Sequence, residues 1–342
     1  KGVTILYKGL VANGIAFVQQ LQLSSELKFY NILDLAYLGG FYNLTMIPFI
    51  SQACVVLSDT FNPHKAIFFW QEVETFGVNA LWLVPSIMSI LLLIDRSNLG
   101  TNYCKNNMRI ILVGTAPLSL SMKSRFEEKY SVVLYENYGL SETFFITTNS
   151  PALPVNKGVG KLIAGCEIFV VDEKGQLCSI CQEGNIIVKT KYLMKGYHND
   201  ANLILQDEKF ITGDIGYIDP DGYLFITGRK KDLIIRGGIN ISPREIEEII
   251  TKHNKVDEAV VIGLPHEYLG EEIVAVIRGT SDLKETDIRT HCENFLASFK
   301  IPTKVFFENE FPRSVTGKIQ KKILRDTLVE KSRGPYVKKE SL

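Results

Sequence analysis

The stretch Phe210–Glu247 reads FITGDIGYIDPDGYLFITGRKKDLIIRGGINISPREIE, and it contains residues that indicate both the fold and the site. Asp214 is a lone carboxylate in a Thr-Gly-Asp turn, and Arg229 follows fifteen residues later in a Gly-Arg turn. A carboxylate only accepts hydrogen bonds, which suits the two hydroxyls of a ribose, and a guanidinium adds donors in a rigid fork. Far downstream, PRSVTGK ends in Lys318, whose ammonium is a mobile point charge suited to phosphate. These residues indicate a nucleotide that one module holds and a second module completes.

The composition is that of a neutral globular protein. Its 342 residues suggest two domains, and 46% hydrophobic residues are ample for their cores. The 38 basic and 38 acidic residues cancel, so no global field attracts nucleic acid or an anionic membrane. Six scattered cysteines, with no secretory signal at the start, predict a reduced, cytoplasmic protein.

Two local patterns have competing interpretations. Cys178 and Cys181 form half of a zinc-type ligand set, but no second pair or nearby His completes it, so packing is favoured over a metal or redox role. The apolar segment Val78–Ile94 is nearly long enough to cross a bilayer. Polar residues interrupt it, which instead favours a buried strand Ala80–Val84 and a helix with Pro85 at its first position.

The first 150 residues alternate between strand-like and helix-like patterns. Met108–Val113 is a continuous apolar run typical of a buried parallel strand. Ser121–Tyr130 reads as a helix and Val132–Tyr135 as the next strand, which predicts a layered α/β domain. Residues 158–229 change to short, closely spaced strands, which predicts a small β-rich subdomain.

A second module begins after Arg229. Lys230–Asp232 is a polar link, and Ser242 and Glu245 predict a capping box at the start of a helix. One helical face is predicted from Ile246, Ile249, Ile250 and His253, and two strands are predicted at Val256–Leu264 and Glu271–Arg278. A second helical stripe is predicted from Ile288, Cys292, Phe295, Leu296 and Phe299. The basic tail after about Leu328 is expected to be frayed.

Four motifs in a fixed order carry a resemblance to a known family. They are Gly114–Leu118 (GTAPL), Asn137–Glu142 (NYGLSE), Thr212–Asp214 with Gly228–Arg229, and Thr316–Lys318. Over nearly all of its length the chain resembles the adenylate-forming superfamily, which includes acyl-CoA synthetases, beetle luciferases and the adenylation domains of peptide synthetases. Each motif alone is weak, but four in order are specific, and the chain looks most like an acyl-CoA synthetase.

The resemblance implies an α/β fold with two domains. A large layered domain is expected over residues 1–229, with the β-rich subdomain at 158–229. A small, mobile α+β C-terminal domain is expected over 230–330, followed by a flexible tail at 331–342. Lys1–Val3 (KGV) closes a phosphate loop in this family. We therefore expect a chain that lacks the N-terminal part of its large domain and is nearly inactive alone.

The reaction implied is that of an acid–thiol ligase. A carboxylate attacks the α-phosphate of ATP to give acyl-AMP and pyrophosphate, and the thiol of CoA then displaces AMP. Two anions meet in the first step, so Mg²⁺ and positively charged donors are required. The expected partners are a small carboxylic acid, ATP and CoA, with no nucleic acid and no integral membrane segment.

The resemblance assigns most of the nucleotide site residue by residue. Tyr138 is expected to stack on adenine, with Gly139 allowing close approach of the backbone. Ser141 would contact the α-phosphate, and Glu142 would hold the magnesium. The other expected nucleotide contacts are Gly114, Thr115, Ala116, Pro117, Asn137, Asp214, Ile226, Arg229 and Lys318.

Three residues of the C-terminal module are given separate roles by the same resemblance. Lys318 is expected to be the catalytic lysine, bridging the substrate carboxylate and the α-phosphate. Lys231 matches the hinge about which the small domain swings between half-reactions. Gly238 matches the glycine beside the CoA pantetheine passage.

The motifs identify the carboxylic acid substrate and the acceptor of its acyl group less closely than they identify the nucleotide. Relatives often carry an aromatic-His pair where Ala36 and Tyr37 stand here, so Tyr37 is expected to shape the acyl pocket together with Gly114 and Gly139. A fatty or other apolar acid is the first expectation. A carrier protein replacing CoA, and a non-catalytic nucleotide-binding fragment, are the alternatives.

Overall fold

The computed structural model describes residues 2–198, 208–314 and 318–333, and it divides the chain into two compact units. The first unit ends at Ile226 and the second begins at Thr227. The functional domain limits expected from the sequence, with their boundary after Arg229, stay a prediction. The expected tail beyond residue 333 lies outside the described residues.

The first unit is built around a mostly parallel sheet. Its strands, with those of the neighbouring smaller sheets, are β1 Val3–Thr4, β2 Lys28–Asn31, β3 Cys54–Leu57, β4 Ala80–Leu83, β5 Ile110–Val113, β6 Leu134–Leu140, β7 Phe144–Thr148, β8 Lys161–Leu162, β9 Cys166–Val171, β10 Gly184–Thr190, β11 Gly196–Tyr197, β12 Lys209–Ile218 and β13 Leu224–Arg229. The large sheet has the order β3-β2-β4-β5-β6-β7-β8. It is parallel from β3 to β6 and antiparallel from β6 to β8.

Helices cover both faces of the large sheet. They are α1 Tyr7–Leu21, α2 Ile47–Ile50, α3 Pro63–Thr75, α4 Pro85–Ile94, α5 Leu99–Asn107 and α6 Leu120–Tyr130. Alternate residues of β4 enter different cores: Trp82 packs in one cluster, and Leu81 and Leu83 pack in the other. Strands buried on both faces explain why β4 and β5 read as continuous apolar runs. The layered α/β prediction is therefore confirmed.

The predicted β-rich subdomain is a four-stranded sheet in the order β13-β12-β10-β9. Strand β10 is antiparallel to both β9 and β12. The turn between β9 and β10 contains Cys178 and Cys181, which are free thiols. Among the described residues, no three His, Cys, Asp or Glu side chains are grouped as a metal would require.

A π-helical segment, Gly39–Met46, lies between β2 and α2. The Asn31 amide holds it, since Nδ2 donates to Gly40 O at 3.0 Å and to Thr45 Oγ1 at 3.1 Å. The Thr45 hydroxyl in turn donates to Gly40 O at 2.9 Å. The π-helical segment packs closely against Asp34 at Gly40, since any side chain at position 40 would collide with the Asp34 carbonyl. π-helical turns are rare and are often found at functional sites.

The second unit is a five-stranded sheet with helices on both faces. Its elements are β14 Ile234–Arg236, β15 Ile239–Ile241, α7 Pro243–Ile250, β16 Val256–His266, β17 Gly270–Gly279, α8 Glu285–Glu293, β18 Lys304–Phe307 and α9 Lys321–Arg333. Neighbouring residues of β16 alternate between two cores: Val261 packs with α7 and α8, and Val260 packs with α9. The predicted strands therefore exist, each slightly longer than expected.

Two details of the second unit were predicted wrongly. The Ser242 hydroxyl does not cap α7; it donates to Thr227 O at 2.7 Å, and Glu245 is paired with Lys300 instead. The helix α8 ends at Glu293, so Phe295 and Phe299 of the predicted apolar stripe lie beyond it, and they are 58% and 40% exposed. The first error arises because a distant carbonyl, Thr227 O, orients the Ser242 side chain.

The apolar segment Val78–Ile94 is divided as expected. Strand β4 ends at Leu83, and α4 begins at Pro85 in its first turn, where the missing N–H costs little. No helix in the described ranges is both long enough and apolar enough to cross a membrane.

Candidate active site

The first part of the site is the turn after β5, at the carboxyl edge of the parallel sheet, where α/β proteins commonly bind ligands. Gly114 leaves no room for a side chain, because a Cβ there would collide with the Asn137 amide. Thr115 adopts φ +72°, which is strained for a β-branched residue. Ala116 and Pro117 continue the turn towards the surface. The predicted motif is thus a tight, closely packed turn.

Strand β6 carries the next group of predicted residues beside this turn. Asn137 is buried, and its Nδ2 has no hydrogen-bond partner among the described residues. A bulge follows Tyr138, and a side chain at Gly139 would collide with the Phe144 carbonyl. The backbone of β6 and β7 therefore packs too closely there for any larger residue.

Asp214 and Tyr138 meet although 76 residues separate them. The Tyr138 hydroxyl donates to Asp214 Oδ2 at 2.6 Å, and Asp214 is only 2% exposed. The Asp214 N–H also donates to Thr212 Oγ1, which fixes the turn. Ile226 packs against the core cluster of this region. The contact joins the large sheet to the β-rich subdomain within the first unit.

Ser141 and Glu142 lie in the turn between β6 and β7. The Tyr197 hydroxyl, from β11, donates to Glu142 Oε1 at 2.8 Å, and the Met194 N–H donates to the Glu142 carbonyl at 2.8 Å. Ser141 is exposed. The Glu142 carboxylate is therefore oriented by its neighbours while the adjoining hydroxyl is open to a ligand.

A cavity of about 380 Å³ opens beside Ser141. The described residues that line it are uncharged and mostly apolar: Val3, Ile5, Leu35, Ala36, Tyr37, Leu38, Phe41 and Ser141. Leu38 and Phe41 come from the start of the π-helical region. Such a space suits the uncharged body of a small organic molecule.

Tyr37 is the most polar wall of this cavity besides Ser141. Burial raises the pKa of Tyr37, and the facing Thr115 hydroxyl offsets only part of that rise. Tyr37 therefore stays a neutral hydrogen-bond donor around neutral pH. Thr115 Oγ1 is itself buried and has no partner in hydrogen-bonding geometry within the described parts of the chain.

The remaining predicted residues belong to the second unit. Arg229 ends β13, and Lys231 lies in the short 3₁₀ turn Lys230–Asp232. Gly238 has φ +80° in the two-residue turn between β14 and β15, a position that favours glycine, and the space around its Cα is open.

Lys318 is exposed at the base of a hairpin. Its carbonyl accepts the Ser314 N–H at 2.9 Å, and Arg313 pairs with Ile319. Thr316 and Gly317 of the predicted motif lie outside the described residues. The structure thus describes Lys318 on a folded framework but not the turn that precedes it.

Sequence reasoning missed some neighbours of these residues. Tyr197 lies in the stretch MKGYHND but was not connected with Glu142, 55 residues away. No sequence pattern identified Val3, Ile5 and Phe41 as residues that line the cavity.

A tight glycine turn at a sheet edge, a Tyr–Asp pair and an oriented carboxylate are the features expected at the nucleotide site of an α/β protein. The model for "AMP-binding enzyme" matches residues 1–198, and that for "AMP-binding enzyme C-terminal domain" matches residues 245–318. The chain belongs to the AMP-binding enzyme family, and its predicted resemblance to adenylate-forming enzymes is confirmed.

Several relatives are named as CoA ligases. An oxalate–CoA ligase of Saccharomyces cerevisiae is 28% identical over 97% of this chain and 62% of the relative. A sulfoacetate–CoA ligase of Cupriavidus necator is 30% identical over 94% of this chain and 63% of the relative. The crystal structure of ATP-bound MatB from Rhodopseudomonas palustris superposes with a TM-score of 0.88 at 30% identity, over 96% of this chain and 66% of that one. The chain thus spans somewhat under two thirds of the length of these two relatives.

Proposed function

We propose that the natural protein is an ATP-dependent carboxylate–CoA ligase that works through an acyl-adenylate. The observation that carries this proposal is the 2.6 Å hydrogen bond from Tyr138 to the buried Asp214. It joins the residue expected to stack on adenine to the carboxylate expected to bind ribose. The names of the relatives and the ATP bound to a similar structure support the same reaction class.

The residues of β5 and β6 fit a purine nucleotide. Asn137 Nδ2 is a buried donor without a partner, which is costly unless a ligand acceptor satisfies it. Gly114 and Gly139 carry no side chain at two places where the backbone packs closely against a neighbouring residue. The Asp214 carboxylate, which accepts the Tyr138 hydroxyl, is the acceptor-only group that we propose for the ribose hydroxyls.

Glu142 is proposed to hold the magnesium that accompanies ATP. Mg²⁺ keeps several waters and is commonly bound by one or two carboxylates together with substrate phosphates. One oriented carboxylate, with the Ser141 hydroxyl one residue before it, is consistent with that arrangement. The Tyr197 hydroxyl would keep the Glu142 oxygens in position before the metal arrives.

Lys318 is proposed to stabilise the first transition state. Charge accumulates on the α-phosphate and on the attacking carboxylate, so an ammonium between them lowers the barrier. Arg229 is proposed to contact the ribose, Lys231 to serve as the hinge and Gly238 to border the CoA passage. These roles rest on the motifs.

The acid is proposed to be a monocarboxylate with an uncharged body. The relatives do not favour a fatty acid over other acids, since they include ligases named for oxalate, for sulfoacetate and for long-chain fatty acids. Oxalate and sulfoacetate both carry two anionic groups. The described lining of the cavity in this chain has no cation to receive the second one. CoA is the proposed acceptor, and transfer to a carrier protein is the alternative that the acceptor assay below excludes or supports.

The test is ATP–pyrophosphate exchange by the natural full-length protein over a panel of carboxylic acids. We expect exchange with one class of acid, and we expect Lys318→Ala to reduce it by at least about a hundredfold. Lys322→Ala is the matched control, because Lys322 is an exposed lysine at the start of α9. It is expected to leave exchange unchanged.

The acceptor is tested in the same preparation. CoA and an acyl carrier protein are added separately, and AMP release is measured. A ligase releases AMP faster with CoA. If ATP binds but no acid supports exchange, the protein binds nucleotides without acting as a ligase.

A further inference from the structure

We propose that Asn13, in the middle of α1, is a positioning residue for the magnesium–ATP site. Its side-chain amide holds the backbone of Phe145 and, through Phe144, the turn that carries Ser141 and Glu142. The inference rests on the proposed function, because Glu142 is taken there to hold the magnesium. It gives a role in that site to a residue that no sequence motif identified.

Phe144 closes this turn in a backbone conformation that aromatic residues rarely adopt. The Thr143 N–H donates to the Leu140 carbonyl at 3.2 Å, which closes a β-turn between β6 and β7. Ser141 and Glu142 are its two central residues. The φ of the buried Phe144 is +56°, in the left-handed region where glycine is the usual residue. Such strain persists only where surrounding contacts compensate for it, and it is often found at functional sites.

The Asn13 amide compensates by pairing with Phe145 much as a neighbouring strand would. Asn13 Nδ2 donates to Phe145 O at 2.8 Å, and Asn13 Oδ1 accepts the Phe145 N–H at 3.2 Å. Asn13 is fully buried, although 132 residues separate it from Phe145. Loss of this amide would therefore deprive two buried backbone groups, directly after the strained residue, of these bonds.

Further contacts hold the Asn13 amide and Phe145 together. The Tyr42 hydroxyl, from the π-helical segment, donates to acceptors 3.0 Å and 2.9 Å away, Asn13 Oδ1 and Leu10 O. The Phe145 ring stacks on Phe17 of α1, with the ring centroids 3.9 Å apart. Polar and aromatic contacts thus join α1 to the start of β7, so β7 cannot shift along α1 without breaking them.

The turn is also restrained on its other sides. A Cβ at Gly139 would collide with the Phe144 carbonyl, so β6 leaves no space into which the turn could relax. The Tyr197 hydroxyl donates to Glu142 Oε1 at 2.8 Å and sets the direction of the carboxylate. The Asn13 amide sets the position of the turn itself. Mg²⁺ requires near-ideal octahedral geometry, so a small displacement of Glu142 would weaken its binding.

The place of α1 in the chain connects this amide with the phosphates. Helix α1 begins at Tyr7, shortly after Lys1–Val3, which by family resemblance closes the phosphate loop. Asn13 would therefore keep the carboxylate that binds the metal at a fixed distance from the loop that receives the phosphates.

The test measures how strongly magnesium improves ATP binding by the natural full-length protein. Isothermal titration without added acid gives the Kd of ATP in excess Mg²⁺ and in EDTA, and the ratio of these two values is the magnesium effect. Glu142→Gln should remove most of this effect and so defines its full size. Asn13→Ala should reduce it about threefold to tenfold, because a direct partner of a metal ligand commonly contributes about tenfold to hundredfold and Asn13 acts one step further away.

Asn149→Ala is the matched control. Asn149 is also fully buried in the first unit, and its Nδ2 donates to Gly158 O at 3.2 Å while its Oδ1 accepts the Lys157 N–H at 3.1 Å. It makes the same pair of bonds to the backbone, but it holds the loop after β7 instead of the turn before it. Its replacement should leave the magnesium effect unchanged.

The ratio separates positioning from stability. Partial unfolding lowers the number of binding sites per chain in the titration, with and without magnesium alike, and leaves the ratio unchanged. Tyr42→Phe is a milder variant, because it removes only the hydroxyl that donates to Asn13 Oδ1 and Leu10 O. It should reduce the magnesium effect about twofold to threefold, as expected for one hydrogen bond.

Each result decides a stated claim. An unchanged magnesium effect in Asn13→Ala, or in Tyr42→Phe if Asn13→Ala does not fold, would overturn the positioning role and leave the proposed ligase intact. An equal loss in Asn149→Ala would also overturn it. A wild-type protein without any magnesium effect would overturn the metal role of Glu142 together with this inference. Pyrophosphate exchange over the acid panel tests the ligase reaction separately, without reference to Asn13.

Discussion

At the scale of single residues, Asp214 has one observed and one proposed role. Its carboxylate accepts the Tyr138 hydroxyl and is proposed to accept the ribose hydroxyls. Asp214→Asn keeps an acceptor for Tyr138 but loses the charge and one acceptor atom. We expect ATP to bind about tenfold to a hundredfold more weakly, as for the loss of a hydrogen bond to a charged group. Isothermal titration of the full-length protein measures this.

Asp221→Asn is the matched control. Asp221 lies in the turn after β12, and its side chain is 62% exposed. The same Asp-to-Asn change there should leave ATP affinity unchanged. Equal weakening by both variants would show that Asp214 acts only through stability.

The sequence predicted these residues better than it predicted their partners. Asp214, Asn137 and Tyr138 stand in short motifs with distinctive chemistry, so the sequence alone could name them as candidates. Tyr197 contacts Glu142, which lies 55 residues earlier in the chain. This contact depends on the position of β11, which pairs with β1 in a two-stranded sheet. No local pattern encodes such a pairing, because it is set by the tertiary packing of the unit.

At the scale of elements, the π-helical segment depends on one buried amide. Asn31 is 2% exposed and bridges Gly40 O and Thr45 Oγ1. Asn31→Ala removes both of these bonds and also the one that the Leu33 N–H donates to Asn31 Oδ1, so we expect it to lower the free energy of unfolding by about 1–3 kcal/mol. Urea unfolding followed by Trp70 and Trp82 fluorescence checks this, because both tryptophans of the chain lie in the first unit.

Asn106→Ala is the comparison variant for Asn31. Asn106 is exposed on α5 and bonds only locally, to Asn102 O. Its replacement should change the unfolding free energy by less than about 0.5 kcal/mol. Similar losses in both variants would argue against a special role for the Asn31 bridge.

The second unit contains a pair of histidines that should make its stability depend on pH. His253 and His291 pack edge to face at 5.3 Å. Burial, reinforced by His291, lowers the pKa of His253 below its ordinary value. The unfolded chain therefore binds more protons, and stability is lost as pH falls from about 6.5 through the folded pKa. His253→Phe should flatten this dependence.

Hydrogen exchange of peptides from α7 and α8 between pH 7 and 5, corrected for the intrinsic exchange rate, measures this effect. Wild-type protection should fall faster with acidification than that of His253→Phe. His198→Gln, an exposed change in the first unit, should behave as wild type in these peptides. Parallel curves for wild type and His253→Phe would remove His253 as the cause.

Elements were predictable where hydrophobic period and punctuation agreed. Pro85 at the start of α4 and the apolar run of β5 gave correct strands and helices. The π-helical segment was not predictable, because its cause is the distant Asn31 amide and the close approach of Gly40 to Asp34. The capping box at Ser242 was wrong because the Ser242 hydroxyl is oriented to donate to Thr227 O, and it accepts no hydrogen bond from the N–H groups that begin α7.

At the scale of the whole molecule, the expected domain movement makes a prediction about Lys231. Proline there fixes φ and removes an N–H in the short 3₁₀ turn near the start of the second unit. We expect Lys231→Pro to slow one half-reaction by at least about tenfold while the other changes about threefold or less. Pyrophosphate exchange reports adenylation, and CoA-dependent turnover of preformed acyl-AMP reports the second step.

Lys231→Ala removes the same side chain but leaves the backbone free. It should affect both half-reactions only slightly. If Lys231→Pro slows both steps equally, or neither, Lys231 is not the residue about which the units turn. The sequence could suggest this hinge through a motif, but the dihedral change it absorbs is a property of two conformations.

The backbone of Thr115 also bears on how such a protein evolves. A side chain forced into the left-handed region raises the free energy of the fold by about 1–2 kcal/mol relative to glycine. For a unit of this size, recovering about 1 kcal/mol would raise the melting temperature by about 2–4 °C. Laboratory selection for heat resistance alone would therefore favour glycine at position 115.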